Sequence, residues 1–495
     1  MNTLVEKLSN IAYTANGAIT NKSTGDLFLD VFSEISNPLS YDSSDYLNKV
    51  LSCWNSDKDL TIRLLAFGRD ILEGGGRRDR FFEAYKMLLD LEKDSKENTE
   101  ILFSSLLTMV RCGISYWKDI FKLYDVTSNL NYKVTLENVA SNEIKINLNE
   151  LLLDESTNMI FQNMCKWMPR KGELFNKIRR NLSQRLNTKM TPKDLRKILV
   201  ENSNVVEHKL CSNNWDEIEF SKVPGRAIRL YNKTFLKRYE TNSRYTEFLR
   251  SVQDGKAKMN VSKTVYPHDA FFEDRDFAQA SFKTMKEKLL ASNKKVLVVS
   301  DTSGSMSGVP MRVCISLSAL FGSALTGPFH NCTVPFSSKA RFVKWDDTDH
   351  IKDIINKIET GEIANTNLQA VFNLILSTAI NHKIDESEMP EYLLIISDMQ
   401  FDCAVSRGFD SDNIKAIKEK YKFAGYKMPQ IIFWNVAANS YGNVPITKDD
   451  RGIMVSGFSQ NVFNSIFELK DLDKYNPYSF MLEVLMKDRY TFGIS

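Results

Sequence analysis

The run Asp301-Thr302-Ser303-Gly304-Ser305-Met306-Ser307-Gly308 spaces a carboxylate and two hydroxyls two residues apart. In a turning loop the oxygens of Asp301, Ser303 and Ser305 face one point, with Gly304 permitting the bend. One carboxylate and two hydroxyls form a hard oxygen set, suited to Mg2+ or Mn2+, that leaves coordination positions for water and for a ligand. Two more hard donors stand at the ends of other expected elements. Thr366, in Ala364-Asn365-Thr366-Asn367-Leu368, precedes a helical pattern, and Asp398 follows the apolar run Leu393-Leu394-Ile395-Ile396-Ser397. A lone Asp-x-Ser-x-Ser is usually a β-turn with an Asp cap. Here the strand-like run before it, the helical pattern after it, and the distant Thr and Asp favour metal binding.

Other reactive chemistry is sparse. His208, His268, His330, His350 and His382 stand in unrelated contexts, and none belongs to HExxH. His268, after Tyr266-Pro267, is better explained by packing or capping than by acid–base work. GxSxG is absent, and no partnered base accompanies Ser303 or Ser305, so ligation accounts for them better than nucleophilic attack. The seven cysteines are scattered, odd in number and free of CxxC, which predicts reduced structural thiols. Gly74-Gly75-Gly76 could bring amides close to a phosphate or cap a helical hairpin; it does not match GxxxxGK[ST]. Asp216 and Glu217 read as solvated charges. The expectation is that the protein is not an enzyme.

Two kinds of scaffold must position these residues. The first half carries apolar residues at three- and four-residue spacing over 60–72, 80–91, 98–110 and 114–123, broken by turn signals that suit antiparallel helix pairs. Around 137–154 the pattern weakens and reads as an insertion or long loop; helical patterns resume at Asn158 and continue through 193–200 and 227–239. From Cys165 to Val265 there are 23 Lys and Arg against 10 Asp and Glu, which points to an anionic partner. After about residue 290 the period changes. Apolar runs at 296–300, 333–336, 392–397, 430–436 and 453–455, with an edge strand at 340–344, alternate with helical stretches at 311–325, 351–358, 368–380, 412–422, 462–469 and 479–489. That alternation predicts a doubly wound α/β domain over 291–495, following an all-helical domain over 1–290. Such a fold binds its ligands outside the carboxyl ends of its strands.

At 495 residues, 43% hydrophobic and 26% charged, the composition is that of a globular chain long enough for two domains. The opening residues lack a signal or transit pattern, and no apolar run approaches the roughly 20 residues needed to cross a bilayer. The expectation is a soluble cytoplasmic protein without a membrane partner.

Asp301, Ser303 and Ser305, followed by Thr366 and Asp398, resemble the metal-ion-dependent adhesion site of the von Willebrand factor A family. The resemblance implies that Thr366 and Asp398 complete the metal shell, that an acidic group of a partner supplies the remaining ligand, and that the site is not catalytic. Ahead of it stand Thr14-Ala15-Asn16-Gly17-Ala18, the run from Arg69 to Arg78, Cys112 to Asp119, Lys166-Trp167-Met168-Pro169-Arg170 and Tyr266-Pro267-His268. In this order they resemble the Ro (TROVE) RNA-binding family and its viral, bacterial and plant relatives. That resemblance implies a HEAT-like ring of helical repeats, holding ends of misfolded RNA in its hole and structured small RNA on its outer surface. The expected phosphate-binding residues are Arg170, Lys171, Lys177, Arg179, Arg180, Arg185, Lys189, Lys193, Arg196 and Lys197, with Trp167 and Tyr231 offering stacking faces. Solvated helix faces and core aromatics explain the same residues without RNA. Two readings therefore stand: a non-catalytic RNA-binding protein with a metal-dependent docking site, or a scaffolding module that uses the metal to bind an acidic partner group without RNA.

Overall fold

The computed structural model describes residues 9–14, 19–38, 43–149, 155–203, 205–262, 264–289, 294–335, 340–359, 368–400, 411–437, 444–469 and 472–492. It divides into two compact units. One comprises Met1–Lys49, Ile71–Arg77 and Glu219–Leu485; the other comprises Val50–Asp70, Arg78–Ile218 and Met486–Ser495.

The first unit begins with a small antiparallel hairpin, β1 (Ile11–Tyr13) and β2 (Ile19–Asn21). Its main sheet contains β3 (Val296–Ser300), β4 (Cys332–Pro335), β5 (Val343–Lys344), β6 (Tyr392–Ser397), β7 (Gln430–Asn435) and β8 (Ile453–Ser456), in the order β5-β4-β3-β6-β7-β8. All neighbours are parallel except the edge pair β4–β5. Every residue of β3 and β6 is buried, as expected of parallel strands covered on both faces. On one face Leu297, Val299, Leu393, Ile395 and Phe433 share a core with Val371, Phe372 and Ile375 of helix Leu368–His382. On the other, helix Val309–Ala324 packs on β3, β4 and β6, and Phe321 lies 5.1 Å from Trp434 and 4.5 Å from Phe463, ring centre to ring centre. The chain goes from β3 to one neighbour, β4, and later returns on the opposite side as β6. The switch point therefore lies between β3 and β6, at the ends from which Asp301 and Asp398 emerge.

The packing does not divide at residue 290. Helices Gly225–Lys237, Tyr239–Gln253 and Arg275–Lys286 belong with the sheet, because Arg275–Lys286 packs against Val309–Ala324 and Ile351–Glu359; Phe277, Ala278 and Phe282 are among its buried residues. The N-terminus joins the same unit: β2 bridges to Val444, and helix Leu27–Glu34 packs beside β8. So does the glycine run. The carbonyl of Ile71 accepts from Asn461 at 2.7 Å, and that of Gly76, at φ 68°, from the Tyr266 hydroxyl at 2.9 Å. A Cβ on Gly75 would stand 2.1 Å from Ser36 Oγ. Gly74–Gly76 thus serves a close approach within the sheet unit, and it lies in the connection between helices Lys58–Arg69 and Asp79–Leu91, which pack on each other as the turn signal suggests.

The second unit is helical, built from Lys58–Arg69, Asp79–Leu91, Lys96–Arg111, Trp117–Val126, Leu130–Asn149, Glu155–Trp167, Glu173–Arg185 and Pro192–Glu201. The expected loop around 137–154 is replaced over much of its length by the 20-residue helix Leu130–Asn149. Tyr132, Leu136, Ala140 and Ile144, four residues apart, form its fully buried stripe. Exposed Leu130, Val134, Ile146 and Leu148 on its other faces blur the pattern in the sequence. Two of the motifs meet here. Asp119, completely buried, accepts from Arg69 at 2.9 and 3.1 Å, from Arg78 at 2.5 Å and from Ser115 at 3.0 Å. Asp70 is likewise buried and accepts from Arg489 at 2.5 and 2.8 Å and from the Tyr490 hydroxyl at 3.0 Å. Among the described residues no helix is long and apolar enough to cross a membrane.

Candidate functional site

Parallel pairing sets Ser300 beside Ile396, and the Asp301 N–H continues the ladder to the Ile396 carbonyl at 3.0 Å. The two loops thus leave neighbouring strands at the same level. Asp301 is fully buried, Asp398 is 3% exposed and Ser303 4%, whereas Ser305 is exposed at the mouth. The Ser303 N–H donates to Asp301 Oδ1 at 3.0 Å, and Ser303 Oγ lies 3.1 Å from Ser305 Oγ. Ser305 itself lies in a short 3-10 turn, Gly304–Met306, which precedes helix Val309–Ala324. The 3-10 turn starts at Gly304, where the bend was expected, and the loop's positive-φ residue is Gly308, at φ 91°.

The second loop closes on itself: the Gln400 N–H donates to Asp398 Oδ1 at 3.0 Å, and Met399 adopts φ 63°. Ser397, which the sequence reading passed over as the last strand residue, is buried at this junction. Its hydroxyl donates to Asp301 Oδ2 at 2.5 Å and accepts the Met399 N–H at 3.0 Å. Cys314, also buried, donates its thiol to the Ile396 carbonyl at 3.3 Å, behind the site. Thr366 falls outside the described residues.

Burial raises the Asp301 pKa to about 6, and the charge of Asp398 adds to the effect against the donors Ser303 and Ser397. Asp398 is raised as well, chiefly by burial, with the Gln400 N–H and the Ser305 hydroxyl opposing it. Two carboxylates in a buried corner gain from a cation between them. Among the described residues no three His, Cys, Asp or Glu side chains gather in a metal-binding group, so a cation here would rely on serine oxygens. The donors present, two carboxylates and two hydroxyls, fit a hard divalent ion.

The expected phosphate-binding residues lie in the helical unit and fall into two sets. Arg170 donates to the Met168 and Cys165 carbonyls at 2.9 and 2.7 Å, Arg179 to that of Met190 at 2.8 Å, and Arg196 to that of Arg170 at 3.0 Å. Lys177 is held by Glu137 and Glu173 at 3.0 and 2.9 Å. These four are tied into the unit itself. Lys171, Arg180, Arg185, Lys189, Lys193 and Lys197 are exposed, as is Arg196; Arg185 also donates to Asn138 at 3.2 Å, and Lys197 lies 3.7 Å from Glu201. Trp167 already carries Lys118 over its ring at 4.1 Å, and Tyr231 lies against Phe235 at 6.1 Å. His268 stacks on Tyr266 at 5.6 Å and meets Phe458 edge-on at 5.2 Å, a packed position. Of the cysteines, Cys53, Cys112, Cys165, Cys211, Cys314 and Cys332 are free thiols; Cys403 lies outside the described residues.

Comparison with known proteins gives two family matches. A model described as a domain of unknown function (DUF2828) matches residues 14–147 and 149–300, and a second, also a domain of unknown function (DUF7788), matches residues 295–486. Uncharacterized protein L728 of Acanthamoeba polyphaga mimivirus is 28% identical over an alignment covering 97% of this chain and 88% of that protein. Among solved structures, the Deinococcus radiodurans RO (RSR) protein aligns over 92% of this chain and 95% of its own, with 14% identity and a TM-score of 0.33.

Proposed function

The chain belongs to the DUF2828 family, and from that premise we propose that it is a non-catalytic RNA-binding protein whose sheet unit carries a divalent-metal-dependent docking site. The observation that carries the metal half is the meeting of Asp301, Ser303, Ser305 and Asp398 at the switch point of a parallel sheet. On this reading residues 291–495 are a von Willebrand A-type domain, and Asp301, Ser303, Ser305, Asp398 and Thr366 would hold Mg2+ or Mn2+. When bound, the ion supplies a Lewis-acidic position that an acidic group of a partner fills. Asp301 and Asp398 hold the charge, and the serines fix the geometry.

The RNA half draws on the motif order that resembles Ro proteins and on the exposed cations Lys171, Arg180, Arg185, Lys189, Lys193 and Lys197. Their helices form successive pairs of the HEAT-like kind. Phosphate contacts of this type bind with little sequence preference and weaken as salt rises. A protein-docking module without RNA is the second reading, favoured by the metal geometry alone.

One measurement tests the metal site that both readings share, and a second separates them. Mg2+ should raise the melting temperature of the parent and leave Asp301→Ala unmoved; equal responses defeat the metal assignment. Reversing Lys189, Lys193 and Lys197 to Glu should weaken binding of single-stranded RNA about uniformly across sequences and flatten its salt dependence. RNA retention that is absent, or indifferent to salt, leaves only the docking reading.

A further inference from the structure

We propose that Ser397 is a positioning residue of the metal site, presetting both carboxylates through one hydroxyl. The proposal rests on the metal reading above and extends it to a side chain that would not touch the ion. A serine hydroxyl has one proton to give and lone pairs to accept with. At Ser397 the proton goes to Asp301 Oδ2 at 2.5 Å and a lone pair takes the Met399 N–H at 3.0 Å. One side chain therefore ties the carboxylate of the first loop to the main chain of the second.

The other oxygen of Asp301 is held within its own loop by the Ser303 N–H at 3.0 Å. With one bond on each oxygen, the carboxylate plane cannot rotate about its Cβ–Cγ bond. Met399 is the point at which the second loop turns, at φ 63°, a conformation that a residue with a side chain takes at a cost. Its N–H bond to Ser397 holds that turn, and the Gln400 N–H then fixes Asp398 Oδ1 at 3.0 Å. Asp398 thus depends on the same hydroxyl at one remove. Ser397, Asp301 and Met399 are all within 2% of complete burial, so no bulk water replaces a lost partner.

Alanine at 397 leaves a buried carboxylate oxygen and a buried N–H unsatisfied and frees both loops, so that the ion must order what is now preordered. Outer partners of metal ligands typically govern affinity by 10–100-fold. A merely structural serine would change stability and leave affinity alone.

The test is Mn2+ titration of the full chain, followed by loss of the free-ion EPR signal, with melting temperature in EDTA measured alongside. Ser397→Ala should bind Mn2+ at least 10-fold more weakly, and Ser397→Thr, which keeps the hydroxyl, should stay within about 3-fold of the parent. If Ser397→Ala does not fold, Ser397→Cys, a weaker donor of similar size, carries the test with an expected loss of 3-fold or more. Affinity unchanged in the Ala or Cys variant, while Asp301→Ala abolishes binding, overturns the role of Ser397 and spares the metal site. Absence of Mn2+ binding in the parent removes both.

Discussion

Asp119 and Asp301 are both fully buried acids, and their surroundings push them in opposite directions. Burial opposes the charge of each. At Asp119 the guanidinium groups of Arg69 and Arg78 more than offset it and hold the carboxyl below its usual range. At Asp301 the nearest charge is a second carboxylate, and the pKa rises to about 6. The first arrangement is neutralised within the chain; the second sets one carboxylate against another. The clustering of Asp301, Ser303 and Ser305 was legible because the three lie within five residues. Ser397 was not, since a serine ending an apolar run carries no mark of which atom it will face. Nor can spacing reveal that Arg170, Arg179 and Arg196 reach back to carbonyls. His268 gives a pH test at this scale. Burial pushes its pKa down to about 4, Asp269 opposing, against about 6.5 in the unfolded chain. Its contribution is complete above pH 6.5 and is lost as pH falls through that window toward 4, costing about 2 kcal/mol by pH 5. Melting temperatures at pH 7.5 and 5 should differ less in His268→Phe than in the parent; equal differences would remove His268 as the cause.

Elements were most legible where burial is two-sided or one face is clean. Val296–Ser300 and Tyr392–Ser397 have the residue bounds expected from their apolar runs, and Val343–Lys344 is the edge strand. Leu130–Asn149 was lost because its buried stripe contains polar Glu137 and Ser141 while apolar residues point outward. Glu137 accepts from the Tyr124 hydroxyl at 2.9 Å and pairs with Lys177, and Ser141 bonds back to the Glu137 carbonyl. Buried polar groups satisfied by neighbouring helices or by their own backbone are invisible to a periodicity argument. Ile144, wholly buried on that stripe, is the check: Ile144→Ala should destabilise the helical unit by about 2–5 kcal/mol. A loss under 0.5 kcal/mol in denaturant unfolding would mean the stripe is not the packed face.

At the scale of the molecule, sequence families and packing divide the chain differently. The family matches change over between residues 295 and 300, close to the period change near 290, yet residues 219–290 pack with the sheet. Hydrophobic period reports local structure, and a helix reads the same whether its apolar face meets other helices or the helices that flank a sheet. The helical unit also depends on residues far along the chain, since Asp70 is answered by Arg489 and Tyr490, whose ring also lies edge-on to Phe67 at 6.1 Å. Deleting residues 486–495 should cost that unit about 3–5 kcal/mol through the stranded carboxylate. Far-UV circular dichroism during urea unfolding reads the loss directly, and an unchanged helical transition would contradict it.

That pairing also sets an order of events during synthesis. The helices between residues 58 and 201 leave the ribosome early, but Arg489 follows 419 residues after Asp70, when every strand of the sheet has already emerged. The bonds from Arg489 and Tyr490 to Asp70 are thus among the last contacts of the helical unit to become available. Pairing of Asp70 with Arg489 therefore follows synthesis of the sheet, although most of the helical sequence comes before it.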